Sequence, residues 1–170
     1  MLFLDRATYD VPDTDVTIAG CTLHSRIGDD RARLTNDFRR IQEWSVDEHN
    51  AEHDKDLAWL KSVLAQKGET RRIVVATHYA PAFEGTSHPM HKGSEVNQCF
   101  ASNAFDGLQI LTGARNVTHW VFGHTHWNAR FRRGKTLVVS NQLCNTVGEL
   151  SWWQRNFLYR LFDMHAVIEL

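Results

Sequence analysis

The sequence has only three cysteines and three prolines in 170 residues. Cys21, Cys99 and Cys144 lie far apart and include no Cys-x-x-Cys pair, which argues against a disulfide framework and favours free thiols in a reducing compartment. No apolar run approaches the ~20 residues that cross a bilayer, and the N-terminus lacks the pattern of a secretory signal. We therefore expect a cytoplasmic protein with no membrane segment.

The chain also has no excess of charge of either sign. Nineteen basic and 20 acidic residues give a net charge of −1, which offers no electrostatic attraction for nucleic acid or for an anionic membrane. Hydrophobic residues make up 42% and charged residues 23%, as in ordinary globular proteins. A chain of this length is expected to form a single domain over residues 1–170 with a substantial core.

Patterns of apolar residues predict a mixed α/β chain. The sequence Ser45-x-x-Glu48 has the form of a capping box and should open a helix to about residue 66, with Gly68 past its end. Other predicted helical segments are residues 36–44, residues 98–113 and an aromatic tail around residues 152–162. Predicted strands are short β elements within residues 2–24, buried strands at 72–77 and 117–122, a hairpin of 129–131 with 136–140, and an edge strand at 166–170.

Two of the ten histidines, His49 and His53, lie four residues apart on the long predicted helix. This spacing could hold zinc, but His49 is not followed by the glutamate of a His-Glu-x-x-His motif. A solvent-exposed helix face is the interpretation that we adopt for this pair.

Three further histidines follow the two buried strands. His78 comes directly after residues 72–77, and His124 and His126 come after residues 117–122. On an extended chain residues i and i+2 point to the same side, and neighbouring parallel strands end at the same edge of a sheet. Three neutral imidazoles at one edge would suit zinc, iron or manganese. The alternative is a set of surface histidines whose nitrogens are satisfied locally.

Residues 77–81 (Thr-His-Tyr-Ala-Pro) and 123–126 (Gly-His-Thr-His) resemble two histidine blocks of the calcineurin-like metallophosphoesterases. Residues 18–23 and 140–142 are also similar to segments of that family. The resemblance spans residues 1–148, which leaves residues 149–170 as a C-terminal extension. It implies a four-layer α-β-β-α sandwich with mixed sheets flanked by helices.

The same resemblance implies a function. Members of the family hydrolyse phosphate esters with a water that bridges two divalent metal ions, which are Mn, Fe or Zn. By motif position, His78 and His124 would bind one metal and His126 the other, and Trp127 and Asn128 would support the site or line a pocket. The resemblance gives neither a catalytic residue nor the class of the phosphorylated substrate.

The sequence departs from the family in its first half. It has no Asp-x-His block, no Gly-Asp block with the metal-bridging aspartate and no Gly-Asn-His block; residues 28–30 (Gly-Asp-Asp) fit a solvated turn better. We therefore expect the C-terminal portion of the domain, marginally stable or dependent on a further segment. Three imidazoles offer no negative charge to hold two cations close together, although a lone metal can bind three histidines. The alternative function is a non-catalytic binding or scaffold domain.

Overall fold

The computed structural model describes residues 2–143 and 162–169, and these form a mixed α/β fold around a six-stranded sheet. The strands are β1 (Ala7–Asp10), β2 (Val16–Cys21), β3 (Arg72–Thr77), β4 (Val117–Val121), β5 (Ala129–Arg133) and β6 (Thr136–Ser140). Strands β2, β3, β4 and β6 are parallel, and β1 and β5 pair antiparallel at the two edges, in the order β1-β2-β3-β4-β6-β5.

Within the described residues, three α-helices and four 3₁₀ helices connect the strands. The α-helices are α1 (Asp37–Arg40), α2 (Val46–Lys67) and α3 (Ala104–Gln109), and the 3₁₀ helices span Asp29–Leu34, Pro89–His91, Glu95–Cys99 and Thr112–Asn116. The predicted α/β class with a sheet flanked by helices is confirmed. The described residues contain one sheet, where the four-layer sandwich has two.

One face of the sheet carries the core. Ala19, Val75 and Trp120 are register partners on β2, β3 and β4, so their side chains project from the same face. They pack with Leu60 and Leu64 of α2 in a single apolar cluster. The β-branched run that predicted β3 is therefore a central strand, paired on both sides.

Helix α2 begins as the sequence predicts. The Ser45 hydroxyl accepts a hydrogen bond from the Glu48 amide at 3.2 Å, and the Glu48 carboxylate accepts one from the Ser45 amide at 2.9 Å. Gly68 is the C-cap residue. The predicted capping box is confirmed.

The interpretation of His49 and His53 as a solvent-exposed face is wrong, because both side chains are buried. They continue the inward face of α2 at helical spacing. This face consists of His49, His53, Asp56, Leu60, Val63 and Leu64. Its N-terminal half is polar and forms hydrogen bonds with the segment after β2.

Other predicted elements differ from the structure near the chain ends and in the connections. Residues 98–113 are not one helix but α3 with 3₁₀ turns on both sides. Residues 166–169 form no strand, so that part of the predicted edge strand is wrong, and residues 2–4 are not a strand either. The predicted aromatic helix, apart from Phe162, and the boundary proposed between residues 148 and 149 lie outside the described residues.

Two of the three cysteines are placed, and both are buried free thiols. Burial raises the pKa of the Cys21 and Cys99 thiols, so both are protonated at neutral pH. Cys144 lies outside the described residues. Among the helices of residues 2–143 and 162–169, none is both long and apolar enough to span a membrane.

Candidate functional site

The carboxyl ends of β3 and β4 bring His78 and His124 together. The two strands are adjacent and parallel, and the Gly123 amide donates a hydrogen bond to the His78 carbonyl at 3.0 Å. This bond places the residue after Gly123 beside His78. His78 Nε2 and His124 Nδ1 lie 3.0 Å apart, and the ring centroids lie 4.8 Å apart. The strand order brings these two histidines to the same edge of the sheet.

The loop of residues 123–126 is tightly bent rather than extended. His124 and His126 both have left-handed backbone, with φ of 67° and 52°. Non-glycine residues adopt this conformation at a cost of roughly 1–2 kcal/mol, and such residues concentrate at functional sites. The premise that residues i and i+2 point to one side requires an extended chain, so it does not apply here. What positions the two imidazoles is the loop.

Gln142 holds this loop from the end of β6. Its side-chain oxygen accepts a hydrogen bond from the His126 amide at 2.9 Å, and its Nε2 donates to the Thr125 hydroxyl at 3.2 Å. The Asn128 side chain donates to the Gln142 carbonyl at 3.1 Å and accepts from the Gln142 amide. Asn128 thus fixes the segment after β6, and Gln142 fixes the histidine loop.

His126 and His78 are both exposed, whereas His124 is partly buried. Within residues 2–143 and 162–169, no group of three His, Cys, Asp or Glu side chains has the placement of a metal site. The assignment of His78, His124 and His126 as ligands therefore stays a prediction, in which two of the three residues are adjacent.

Burial sets the protonation state of the histidine pair. Burial lowers the pKa of His124 to about 4, and repulsion from His78 adds to this, while Asp37 opposes it. Partial desolvation also lowers the pKa of His78. His124 Nε2 is buried and has no hydrogen-bond partner among the described residues. Both imidazoles are neutral at pH 7, which is the form that binds metals.

The histidine pair fits two positions of a metal site. Its facing nitrogens share one proton, which a metal would displace, as metal binding to histidine generally does. A separation of 3.0 Å is also close to that of two neighbouring ligands about 2.1 Å from one ion. No carboxylate lies in direct contact with the pair among the described hydrogen bonds.

An aromatic and acidic shell that the sequence analysis missed lies behind the pair. Tyr79 stacks on His124 with 4.0 Å between ring centroids, and its hydroxyl donates to Asp37 Oδ2 at 2.7 Å. Burial acts to raise the pKa of Asp37, but the hydrogen bonds from Tyr79 and Thr35 and the neighbouring histidines leave it below its usual value. Asp37 is therefore a carboxylate whose charge acts on both His78 and His124.

A second histidine cluster adjoins this shell. The Trp44 indole, which can only donate, gives a hydrogen bond to His49 Nδ1 at 3.2 Å, so the proton of His49 is on Nε2, 3.3 Å from the Ser25 hydroxyl. The rings of His24, His49 and Tyr79 pack against one another, with the His24 centroid 4.9 Å from that of His49 and 5.3 Å from that of Tyr79. No local sequence signal identifies this cluster, since its members come from segments far apart in the chain.

No protein-family model matches the chain. It is 24% identical, over 147 aligned positions, to the uncharacterized protein L509 of Acanthamoeba polyphaga mimivirus, an alignment that covers 76% of this chain and 50% of the viral protein. The chain therefore spans about half the length of the curated relative that it matches.

A solved structure also shows some likeness to this chain. It is a Staphylococcus aureus protein described as a candidate 5′-nucleotidase, in complex with α-ketoglutarate, with a TM-score of 0.41 and 16% identity over 79% of this chain and 23% of that one. A likeness at this level assigns neither a family nor an activity.

Proposed function

We propose that this chain carries part of the active site of a metal-dependent phosphoesterase of the calcineurin-like type. The observation that carries the proposal is the 3.0 Å contact between His78 Nε2 and His124 Nδ1, at the carboxyl ends of adjacent parallel strands. The two residues belong to the two motifs that resemble the family, and the ends of parallel strands are where α/β folds bind ligands.

In this proposal His78 and His124 bind a divalent metal ion, Mn, Fe or Zn, and His126 is a ligand of the same or of a second ion. A bound metal supplies a water of lowered pKa and a positive charge opposite the phosphoryl oxygens. The chain's own contribution is to hold two neutral imidazoles at fixed separation, through the hydrogen bond from Gly123 to His78 and through the contacts of Gln142 with the loop. The substrate is a phosphate ester whose class the metal ligands do not define.

Asp37 supplies a negative charge near the histidine pair, which the three imidazoles by themselves do not. Its carboxylate acts electrostatically on both His78 and His124, although it is bonded to Tyr79 rather than to either imidazole. A carboxylate at this range offsets part of the repulsion that a bound cation would feel from neighbouring positive charge. It does not replace a bridging aspartate, so complete two-metal chemistry requires groups beyond those described.

The second candidate function is a non-catalytic binding or scaffold domain of the same descent. It is favoured by one observation, which is that no three-residue metal-binding group occurs in the part of the chain that the structure describes. We further propose a cytoplasmic location for either function, on the basis of the free thiols Cys21 and Cys99.

Metal content tests the proposal directly. The chain is loaded with Mn²⁺, Fe²⁺ or Zn²⁺, desalted and measured by elemental analysis. We expect bound metal in the unmutated chain, a loss in His78→Ala and in His124→Ala, and no change in His165→Ala, a control at an exposed histidine near the C-terminus. No retained metal in the unmutated chain, or unchanged metal in both site variants, contradicts the metal site.

Activity distinguishes the two candidate functions. Hydrolysis of p-nitrophenyl phosphate and of its diester is measured with Mn²⁺, for this chain and for any longer in-frame product of the same gene. An upstream reading frame that encodes Asp-x-His, Gly-Asp and Gly-Asn-His blocks, with activity in the longer product, supports the phosphoesterase. Metal binding without turnover in every form supports the binding domain.

A further inference from the structure

An open cavity of about 370 Å³ lies beside the histidine loop. Its walls include two aromatic rings, Phe83 and Trp127, together with the imidazole of His88. The volume is within the range of ~300–1,000 Å³ that small-molecule sites occupy. The residues of this cavity come from the long connection between β3 and α3 and from the residue that follows His126.

The cavity is next to the predicted metal ligands. Trp127 follows His126 directly in the chain. A series of ring contacts joins the other wall to the histidine pair, because His88 contacts His91 at 6.3 Å, His91 contacts Phe100 at 6.4 Å and Phe100 contacts His124 at 5.5 Å. Packed rings thus link the cavity to the histidine pair.

The walls are preorganised for a flat group. Trp127 is 8% exposed, and the His88 ring stands edge-on to it, at 4.9 Å and 77°. The Met90 amide donates to His88 Nδ1 at 3.1 Å, which fixes the His88 ring and leaves its proton on Nε2. Phe83 is 39% exposed and supplies a second ring at the rim. Rigid aromatic walls bind planar rings at low entropic cost.

Gly85 lines the cavity with left-handed backbone. It has φ of +76°, and a Cβ at this position would lie 3.2 Å from the Phe131 ring. A side chain here would be strained and would press on the Phe131 ring. The rim charges, Glu84 and Lys92, are of opposite sign, so the cavity itself has no net attraction for a phosphate. Its chemistry suits the uncharged, aromatic part of a substrate.

We propose that the cavity lined by Phe83, Gly85, His88 and Trp127 binds the aromatic ring of a small phosphate ester whose phosphate lies at the histidine pair. This inference rests on the proposed phosphoesterase function for the position of the phosphate. The ring is either a nucleobase or a simple aryl group, which have the same flat, apolar faces. Aliphatic phosphate esters lack this feature and are poor ligands.

The test measures binding in the full chain with metal removed by a chelator, so that it does not depend on turnover. The probes are AMP, phenyl phosphate and glycerol phosphate. The affinity of each is measured by ligand-observed NMR and by calorimetry. We expect AMP or phenyl phosphate to bind at least about five-fold more tightly than glycerol phosphate, as for ~1 kcal/mol of stacking. Preference for AMP assigns a nucleobase, and equal binding of AMP and phenyl phosphate assigns a single ring. Equal affinity for all three probes overturns the proposal.

Two variants locate the binding. Phe83→Ala, at a ring on the rim, should lower the affinity for the aromatic probes roughly five-fold. Phe3→Ala removes an 87% exposed ring that does not line the cavity, so it should leave that affinity unchanged. An unchanged affinity in Phe83→Ala and in His88→Ala overturns the proposal. Aromatic binding without hydrolysis when Mn²⁺ is restored contradicts the phosphoesterase function alone and leaves the ring-binding cavity in place.

Discussion

Tyr79 lies flat against His124, with ring centroids 4.0 Å apart and ring planes inclined by 28°. Its hydroxyl donates a hydrogen bond to Asp37, which is 42 positions earlier in the chain. One side chain thus supports a predicted metal ligand with its ring and holds a carboxylate with its hydroxyl. Because Tyr79 is only 3% exposed, its ring contact with His124 is shielded from water on the tyrosine side.

Removal of the Tyr79 hydroxyl should destabilise the fold without disturbing the stack. Tyr79→Phe keeps the ring against His124 and deletes the hydrogen bond to Asp37. A hydrogen bond to a charged group contributes about 1.5–3 kcal/mol. We expect the free energy of unfolding, measured by urea denaturation at pH 7, to fall by about 1–2 kcal/mol, because water can reach the half-buried carboxylate in part.

Tyr9→Phe is the matched control, since Tyr9 is on edge strand β1 and 36% exposed. Surface substitutions of this kind change stability by less than about 0.5 kcal/mol. Equal stability of Tyr79→Phe and the unmutated chain would show that the hydrogen bond to Asp37 contributes nothing to the fold.

Buried His49 should make the protein less stable in mild acid. Burial lowers the pKa of His49 to about 4, with repulsion from His24 acting in the same direction and Asp37 opposing both. In the unfolded chain its pKa is near 6.5, so between pH ~6.5 and ~4 the unfolded state binds a proton that the folded state does not. The contribution of His49 to the free energy of unfolding is therefore fully present above pH ~6.5. It is lost as the pH is lowered, which reduces the free energy of unfolding by up to about 3 kcal/mol.

The measurement is urea unfolding at several pH values between 7.5 and 4.5. His49→Gln should be less stable at neutral pH but should lose less stability on acidification than the unmutated chain. His165→Gln, at an exposed histidine, should leave the pH dependence unchanged. A pH dependence as steep in His49→Gln as in the unmutated chain would show that His49 is not the group responsible.

Loss of the capping box of α2 should modestly lower the stability of the protein, although Ser45 is exposed. Ser45→Ala removes the hydroxyl that accepts from the Glu48 amide, and the loss of such a cap costs about 1 kcal/mol. The matched control is Ser62→Ala, an exposed serine inside the same helix, where alanine should be neutral or stabilising by a few tenths of a kcal/mol. If both variants have the same stability by thermal denaturation, the cap has no role in stability.

Local signals in the sequence predict much of this fold and fail where distant residues decide the environment. The β-branched run of β3 and the capping box of α2 are local, and both are found as predicted. His49 and His53 appear polar and exposed by composition. They are buried because the Ser25 hydroxyl and the His24 carbonyl, on the segment after β2, lie within hydrogen-bond distance of their ring nitrogens. No pattern within α2 reveals those partners.

The candidate site likewise has one feature that the sequence predicts and others that depend on distant residues. The placement of His78 and His124 at the same edge of the sheet could be predicted, because it requires only that two buried strands be adjacent and parallel. The backbone of the loop could not, since left-handed φ at His124 and His126 depends on contacts from Gln142 at the end of another strand. The position of Asp37 beside the site could not be predicted either, because it depends on a hydrogen bond from Tyr79, which is distant in the sequence.

The contact between the end of α2 and the segment before β4 leaves no space for a methyl group at Gly113. A Cβ there would lie 2.0 Å from the Leu64 carbonyl oxygen and 3.1 Å from the Gly68 Cα. Gly113→Ala must therefore push the two segments apart, and overpacking against backbone typically costs about 1–3 kcal/mol or more. We expect a loss of at least about 2 kcal/mol in the free energy of unfolding at pH 7.

Gly107→Ala is the same substitution at an open position. Gly107 lies inside α3, and nothing lies within 4 Å of where its Cβ would be. Alanine is favoured over glycine inside a helix by about 0.5–1 kcal/mol, so this variant should be more stable than the unmutated chain. Both Gly→Ala changes reduce the conformational entropy of the unfolded chain by the same amount. Changes of opposite sign in the free energy of unfolding would therefore arise from the space around each Cβ in the folded state. Equal effects would show that α2 and the segment before β4 do not approach as closely as described.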